Sequence, residues 1–127
     1  MFLYFYELYK RCRNKRIYTQ EYFEFLTRSS NIDELNKGKE YCSNINLNQC
    51  LELALETKNK SVCEFFIKQG ATNLKESLIT VSKNNIYDLV ELLINNGGPT
   101  ATAIRYSTSP NILRMIYRYE QKCEIIN

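Results

Sequence analysis

An internal repeat is the feature of this sequence that most constrains its fold. Residues 50–70 align without a gap with residues 77–97, and both segments end in glycine, Gly70 and Gly97. The two glycines lie 27 residues apart. Because repeated segments adopt the same local structure and bury their apolar faces against one another, this spacing predicts a stack of similar units.

Each repeated segment contains two stretches that are predicted to be helical. A short apolar stretch is followed by a polar break, near Asn59 in the first segment and Asn84 in the second, and then by apolar residues at helical spacing. These later residues are Val62, Cys63, Phe65, Phe66 and Ile67 in one segment and Leu89, Val90, Leu92, Leu93 and Ile94 in the other. Each segment therefore predicts a helical hairpin. Gly70 and Gly97 suit the left-handed conformation that ends many helices.

Polar residues suited to N-caps precede several of the predicted helices. Asn73 is followed three residues later by Glu76, and Asn85 by Asp88, so each pair places an acid near the free amides of a first helical turn. We therefore predict that Asn73 and Asn85 cap the helices that follow them.

Further helices are predicted on both sides of the repeat. Downstream, residues 101–107 form a short helix, and Ser109 with the following proline opens another over residues 110–121. Upstream, residues 21–28 are helical and rich in aromatic side chains, and a capping-box start precedes a weakly patterned helix over residues 32–42. We interpret these flanking segments as hairpins that close the two ends of the stack.

We predict an all-α fold made of stacked helical hairpins. A chain of 127 residues has room for one domain with a modest core. The predicted organisation is a single domain over residues 1–127, with N-terminal capping helices in 1–45, two repeat units in 46–98 and a C-terminal capping unit in 99–127.

The repeat resembles the ankyrin repeat. Its later stretches read Val-Cys-Glu-Phe-Phe-Ile-Lys-Gln-Gly-Ala over residues 62–71 and Leu-Val-Glu-Leu-Leu-Ile-Asn-Asn-Gly over residues 89–97, which is similar to the apolar ladder and glycine that end the second ankyrin helix. Leu-Glu-Leu-Ala at residues 51–54 resembles the Leu-His-Leu-Ala segment of that family. The resemblance covers residues 46–119 and implies an ankyrin-like stack that acts by binding another protein.

The chain also departs from the ankyrin pattern. The Thr-Pro-Leu-His signature is replaced by Gln-Cys-Leu-Glu at residues 49–52 and by Glu-Ser-Leu-Ile at residues 76–79. The period of 27 residues is shorter than the roughly 33 residues of the family. Since the missing residues fall just after Gly70 and Gly97, we expect the β-hairpin fingers of the family to be shortened or absent.

Degenerate repeats rich in Asn, Ile and Lys are similar to the ankyrin-like units of large DNA viruses, including the multigene-family proteins of African swine fever virus. This narrower resemblance implies a viral protein that binds a host protein in the host cytoplasm and modulates innate-immune signalling. The sequence contains no apolar run long enough to span a membrane, so we expect a cytoplasmic location and no membrane partner.

The composition argues against catalysis and metal binding. The chain has no histidine, which removes the commonest general base and the imidazole metal ligand. Its five cysteines form no C-x-x-C pair, and its four glycines form no phosphate-binding loop. We therefore predict that the protein is not an enzyme, that it uses no cofactor and no metal, and that its cysteines pack as small apolar side chains.

The resemblance to ankyrin repeats implies that the exposed ends of the first helices line the concave face of the stack and bind a protein partner. On this chain those positions are Glu52, Glu56 and Thr57 in the first unit and Ile79, Lys83 and Asn84 in the second. Their varied chemistry suits a protein better than a polyanion. The alternative interpretation is an ordinary solvated helix surface.

A basic segment near the N-terminus supports a second hypothesis, nucleic-acid binding. Its cations are Lys10, Arg11, Arg13, Lys15 and Arg16, and tyrosines that can stack on bases lie around them. This hypothesis predicts a continuous basic face that joins the segment to Arg114 and Arg118. The alternative interpretation of the segment is a solvated turn after a capping helix.

A third hypothesis is that the chain is a homo-oligomeric structural protein. Its first residues are rich in aromatic side chains, among them Phe2, Phe5 and Tyr9. We interpret them as a helix that either closes one end of the stack or joins a second copy of the chain through an exposed apolar patch.

Overall fold

The computed structural model of the chain describes the backbone of residues 18–126 and the side chains up to residue 122. In this range the chain is all-α, as predicted, and contains no strand. The helices in chain order are α1 (Gln20–Arg28), α2 (Ile32–Lys37), a 3₁₀ helix (Lys39–Asn44), α3 (Leu47–Thr57), α4 (Lys60–Gln69), α5 (Leu74–Lys83), α6 (Tyr87–Asn95), α7 (Thr100–Tyr106) and α8 (Pro110–Ile126).

Both repeated segments form a pair of helices joined by a tight turn. Residues 50–70 span most of α3 and all of α4, and residues 77–97 span most of α5 and all of α6. The turns are equivalent as well, because Lys58 (φ 59°) and Asn85 (φ 52°) hold matching places in the alignment and are both left-handed. The predicted helices of the repeat are therefore present.

The end of α6 illustrates how glycine terminates these helices. The Gly98 N–H donates to the Leu93 carbonyl at 2.8 Å, and the Gly97 N–H donates to the Ile94 carbonyl at 3.1 Å. These two bonds form a Schellman motif, which needs a left-handed residue at Gly97, where φ is 101°. Gly70 follows α4 with φ of 117°, so both glycines adopt the predicted conformation.

The helices are grouped into two compact units, one ending at Gly70 and the other beginning at Ala71. In the first unit α1 contacts α2 and α3, while α4 contacts α2 and α3. In the second unit α5 contacts α6 and α7, while α8 contacts α6 and α7. Each unit thus holds two successive helix pairs. The first helices of the two pairs contact each other, and so do the second helices. The organisation of residues 1–127 as a single domain remains a prediction.

Large apolar side chains are fully buried in both units. In the first unit they are Phe23, Leu26, Leu35, Leu51, Val62 and Phe66, and in the second Leu78, Leu89, Leu93, Ile94, Ile112 and Ile116. Every apolar position predicted for α4 and α6 is buried except Ile67, which is half-buried. The helical spacing of apolar residues therefore identified the buried faces of these two helices correctly.

The helix predicted over residues 32–42 is interrupted, since α2 stops before Gly38 and a 3₁₀ helix follows. Gly38 lies against the ring of Tyr18, and a β-carbon at position 38 would overlap that ring. The Tyr18 hydroxyl donates to Glu34 at 2.8 Å, and its ring stacks on Tyr41 with centroids 5.3 Å apart. The tyrosine therefore packs where the helix breaks, a contact between distant residues that the local pattern did not indicate.

The prediction that Asn85 caps α6 is wrong. The residue before α6 is Ile86, whose side chain makes no capping bond. The Asn85 Oδ1 instead accepts from the N–H groups of Thr108 at 3.0 Å and Ser109 at 3.2 Å, and its Nδ2 donates to the Thr108 hydroxyl at 2.9 Å. Asn85 therefore joins the turn between α5 and α6 to the turn between α7 and α8.

The remaining helix boundaries lie close to their predicted positions. Helix α5 begins directly after Asn73, although the Asn73 side chain makes no capping bond. Helix α7 begins and ends one residue before the predicted range 101–107. Helix α8 starts at Pro110 as predicted and continues past the predicted end of 110–121 to Ile126.

Candidate interaction surfaces

Helix α3 exposes two carboxylates that belong to the predicted binding face. Glu52 and Glu56 lie four residues apart, so they share one side of the helix, and both are exposed. Neither takes part in an ion pair with another described residue. Like charges at this spacing destabilise a helix slightly. The first unit therefore presents an acidic ridge that helix stability does not favour.

Thr57, the third predicted residue on α3, has a structural role. Its hydroxyl donates to the Ala54 carbonyl at 2.7 Å and accepts from the Asn59 N–H at 3.4 Å. Asn59 in turn caps α4 by accepting from the N–H groups of Ser61 and Val62. Thr57 therefore stabilises the turn between α3 and α4, which leaves the two carboxylates as the groups a partner can reach.

Helix α5 contributes a basic and aromatic site to the second unit. The Lys83 Nζ lies 5.2 Å from the centroid of the Tyr106 ring, and the Arg105 guanidinium carbon lies 5.7 Å from the same centroid. Both distances fall within the range of a cation–π interaction. Lys83 and Arg105 are exposed and Tyr106 is half-buried, so the ring and its cations together form a surface site.

The other two residues predicted on α5 are less available. Ile79 is half-buried. Asn84 is exposed, but its Nδ2 donates to the Thr80 carbonyl at 3.0 Å and so helps to end the helix. Among the three predicted residues of the second unit, Lys83 is therefore the one that presents an exposed charge.

Tyr106 and Arg105 are surface residues that the sequence analysis missed. Glu52 and Ile79 occupy equivalent positions in the two repeated segments, and one further step of 27 residues from Ile79 arrives at Tyr106. Extending the repeat into the divergent segment over residues 101–107 would have found the tyrosine. The contact with Lys83 follows from the packing of α5 against α7.

The residues of the second and third hypotheses lie mostly outside the described part of the chain. This applies to the basic segment, formed by Lys10, Arg11, Arg13, Lys15 and Arg16, and to the aromatic residues Phe2, Phe5 and Tyr9. Arg114 and Arg118 are described, and both are exposed on α8. The continuous basic face therefore remains a prediction.

Three of the cysteines are buried free thiols. They are Cys42, Cys50 and Cys63. Burial removes the water that would solvate a thiolate, which raises the pKa of Cys42 and raises the pKa of Cys50 to about 11 and that of Cys63 to about 12. A hydrogen bond from Gln20 at 3.5 Å opposes the rise at Cys50. At neutral pH these thiols are protonated.

Neither a cluster of metal ligands nor a membrane-spanning helix is found among the described residues. No group of three or more potential ligands among His, Cys, Asp and Glu is arranged to hold a metal ion in the described part of the chain. No helix between residues 18 and 126 combines the length and the apolar character that crossing a membrane requires.

Comparison with protein-family models, with curated proteins and with solved structures finds no match for this chain. The resemblance to ankyrin repeats, and to the viral proteins in particular, therefore stays a prediction based on residues 50–70 and 77–97.

Proposed function

We propose that this protein is a non-catalytic interaction module of ankyrin-like architecture, in which successive helix pairs stack and the first helices bind a protein partner. The contact pattern supports the architecture, because in each unit first helices contact first helices and second helices contact second helices. The equivalent turns at Lys58 and Asn85 support the same interpretation.

The observation that carries the proposal is the chemistry exposed on the first helices. Helix α3 presents the carboxylates of Glu52 and Glu56, and α5 with α7 presents Lys83 and Arg105 around Tyr106. Tyrosine and arginine are enriched among the residues that dominate binding energy at protein interfaces. Rigid helices hold such groups in place before binding, which lowers the entropic cost of association.

The viral resemblance suggests which partner to seek. The resemblance to ankyrin-like proteins of large DNA viruses suggests that the partner is a host protein of innate-immune signalling, bound in the host cytoplasm. An acidic ridge and a separate basic site make a partner with patches of both charge signs the expected type.

A capture experiment with matched variants tests the proposed face. The tagged full chain, expressed in transfected cells, is expected to retain a stoichiometric protein partner. Glu56→Lys in the first unit and Lys83→Glu in the second should each weaken its binding about tenfold or more. Lys60→Glu, a charge reversal at another exposed position but on the second helix α4, should leave binding and melting temperature unchanged.

Two results would contradict this function. A partner that binds Glu56→Lys and Lys83→Glu as tightly as the native chain would exclude the assigned face. Recovery of nucleic acid in place of a protein, with binding that falls steeply as salt rises and that is lost when Arg11, Arg13 and Arg16 are neutralised, would favour the nucleic-acid hypothesis.

A further inference from the structure

Helices α6 and α8, which pack against each other, form an open groove on the surface of the second unit. It consists of two adjoining depressions of about 500 and 360 Å³, which share Tyr87, Met115 and Arg118. We call this feature the α6–α8 groove. It is formed by second helices. It is therefore distinct from the first-helix face, by which we mean the exposed residues of α3, α5 and α7 that the proposed function uses.

One wall of the α6–α8 groove carries a row of cations. Arg114, Arg118 and Lys122 are spaced four residues apart on α8, which places them on one side of the helix about 6 Å apart. All three are exposed, and none forms an ion pair with another described residue. The carboxylate of Glu120 on the same helix accepts from the Thr100 hydroxyl of α7 at 2.9 Å and forms no ion pair with the three cations in the described part of the chain.

Apolar surface accompanies these cations on both sides. Within the groove, Tyr87 is 40% exposed, and Met115, which is only 9% exposed, forms part of the floor that the two depressions share. On the outer side, Leu113 and Tyr117 are 37% and 62% exposed and line a third depression together with Arg114 and Arg118. Arginines beside exposed aromatic side chains and methionine are typical of protein-binding surfaces.

Glu91 distinguishes a peptide ligand from a nucleic acid. Its carboxylate lies in the lining of the groove, on the α6 side. A nucleic-acid strand carries a negative charge at every nucleotide, so a strand following the groove would bring a phosphate towards this carboxylate. A peptide can instead place a backbone N–H or an uncharged side chain beside Glu91 and still present carboxylates to the three cations.

We propose that the α6–α8 groove binds an acidic peptide segment of a partner protein. Carboxylates of the peptide pair with Arg114, Arg118 and Lys122, and an aliphatic or aromatic side chain packs against Tyr87 and Met115. Arginine pairs well with carboxylates because its planar guanidinium donates two parallel hydrogen bonds. The partner segment is therefore expected to present carboxylates about 6 Å apart, the spacing of the cations along α8, with apolar residues between them.

Selection from a display library of short random peptides on the immobilised full chain tests this site. We expect the enriched peptides to be acidic and to contain aliphatic or aromatic residues, and their affinity to fall as salt rises. The enriched peptides are then synthesised, and their binding to the native chain, Arg118→Glu and Arg105→Glu is compared. Arg118→Glu should weaken binding about tenfold or more, whereas Arg105→Glu, the same change on the first-helix face, should alter it less than about twofold.

Five results would overturn the proposal, and the first four concern the peptides and Arg118. These are the absence of any enriched peptide, enrichment of peptides without net negative charge, equal binding to the native chain and Arg118→Glu, and tighter binding of a single-stranded RNA oligonucleotide that Arg118→Glu abolishes. Loss of the peptide with Arg105→Glu alone would also overturn it and would assign acidic ligands to the first-helix face.

A folding control accompanies the measurement. Since Arg118 is exposed, Arg118→Glu is expected to melt at the same temperature as the native chain. If Arg118→Glu does unfold, Arg118→Gln removes the charge without reversing it and should still weaken peptide binding about fivefold. Unchanged peptide affinity in a folded Arg118→Gln would count against the groove.

Discussion

At the scale of single residues, Cys50 and Cys63 are the clearest case in which burial controls chemistry. Both thiols are fully buried, and loss of solvation raises the pKa from an ordinary 9.0 to about 11 for Cys50 and about 12 for Cys63. The absence of histidine and of paired cysteines predicted inert thiols, and the burial of these two agrees with that prediction.

These raised pKa values predict that the protein loses stability in alkaline solution. Below pH 9 each thiol is protonated in the folded and unfolded chains alike, so its contribution to the free energy of unfolding is fully present there. Above pH 9 the unfolded chain releases the proton while the folded chain retains it. Stability is therefore lost as pH rises towards about 11 and 12, by up to about 1.4 kcal/mol per pH unit for each thiol.

Urea unfolding at a series of pH values between neutral and about 11 measures this loss. The variant Cys63→Ala removes one titrating thiol while keeping a small apolar side chain, so its stability should fall less steeply with pH than that of the native chain. A native chain whose stability is constant up to pH 11, or equal slopes for the two proteins, would show that burial of these thiols does not govern alkaline unfolding.

At the scale of secondary-structure elements, the turns between paired helices depend on single left-handed residues. Ser30, Lys58 and Asn85 each adopt positive φ in such a turn, although only glycine does so without steric cost. Asn85 differs from the other two because its side chain also hydrogen-bonds to Thr108 and Ser109. It therefore connects two turns within the second unit.

Replacing Asn85 by alanine should destabilise the second unit by about 1–2 kcal/mol. The substitution removes three exposed hydrogen bonds, which water replaces only in part, and alanine tolerates the left-handed conformation less well than asparagine. Urea unfolding measures the difference. Lys58→Ala is the matched control, because Lys58 occupies the equivalent turn. This replacement should lower the free energy of unfolding by less than about 0.5 kcal/mol. Equal losses for the two variants would refute the connecting role of Asn85.

At the scale of the whole molecule, each of the two compact units contains fully buried apolar side chains. Phe66 is fully buried in the first unit, and Leu93 is fully buried in the second. Both lie in second helices at the apolar positions that the repeat predicted. Truncation of either residue leaves a cavity in a unit that comprises only a few short helices.

Phe66→Ala and Leu93→Ala should each lower the free energy of unfolding by about 3–5 kcal/mol, which is a large share of the stability of a small protein. Thermal melting measures the total loss, and amide hydrogen exchange locates it. We expect the greatest loss of protection in α1 to α4 for Phe66→Ala and in α5 to α8 for Leu93→Ala.

Phe25→Ala is the control for these truncations, because Phe25 is 60% exposed on α1 and its replacement should change the melting temperature little. Melting of Phe66→Ala or Leu93→Ala at the native temperature would exclude that residue from the core. Equal loss of protection in all helices for both truncations would contradict the expectation that each truncation acts mainly within its own unit.

Local signals in the sequence determined the helices and most of their ends. The spacing of apolar residues over 50–70 and 77–97 was sufficient to predict α3 to α6 and their buried faces, and glycine marked the ends of α4 and α6. These features depend on residues within one or two helical turns of each other. The predicted boundaries were therefore close even though no family or structure matches the chain.

Tertiary structure alone decided the features that depend on residues far apart in the chain. The ring of Tyr18 packs against Gly38 where α2 ends, Asn85 bonds to a turn more than 20 residues away, and Lys83 contacts the ring of Tyr106. The α6–α8 groove likewise exists only because two helices separated in sequence pack together. Residue spacing within one helix carries no information about such contacts, because they depend on how the helices pack.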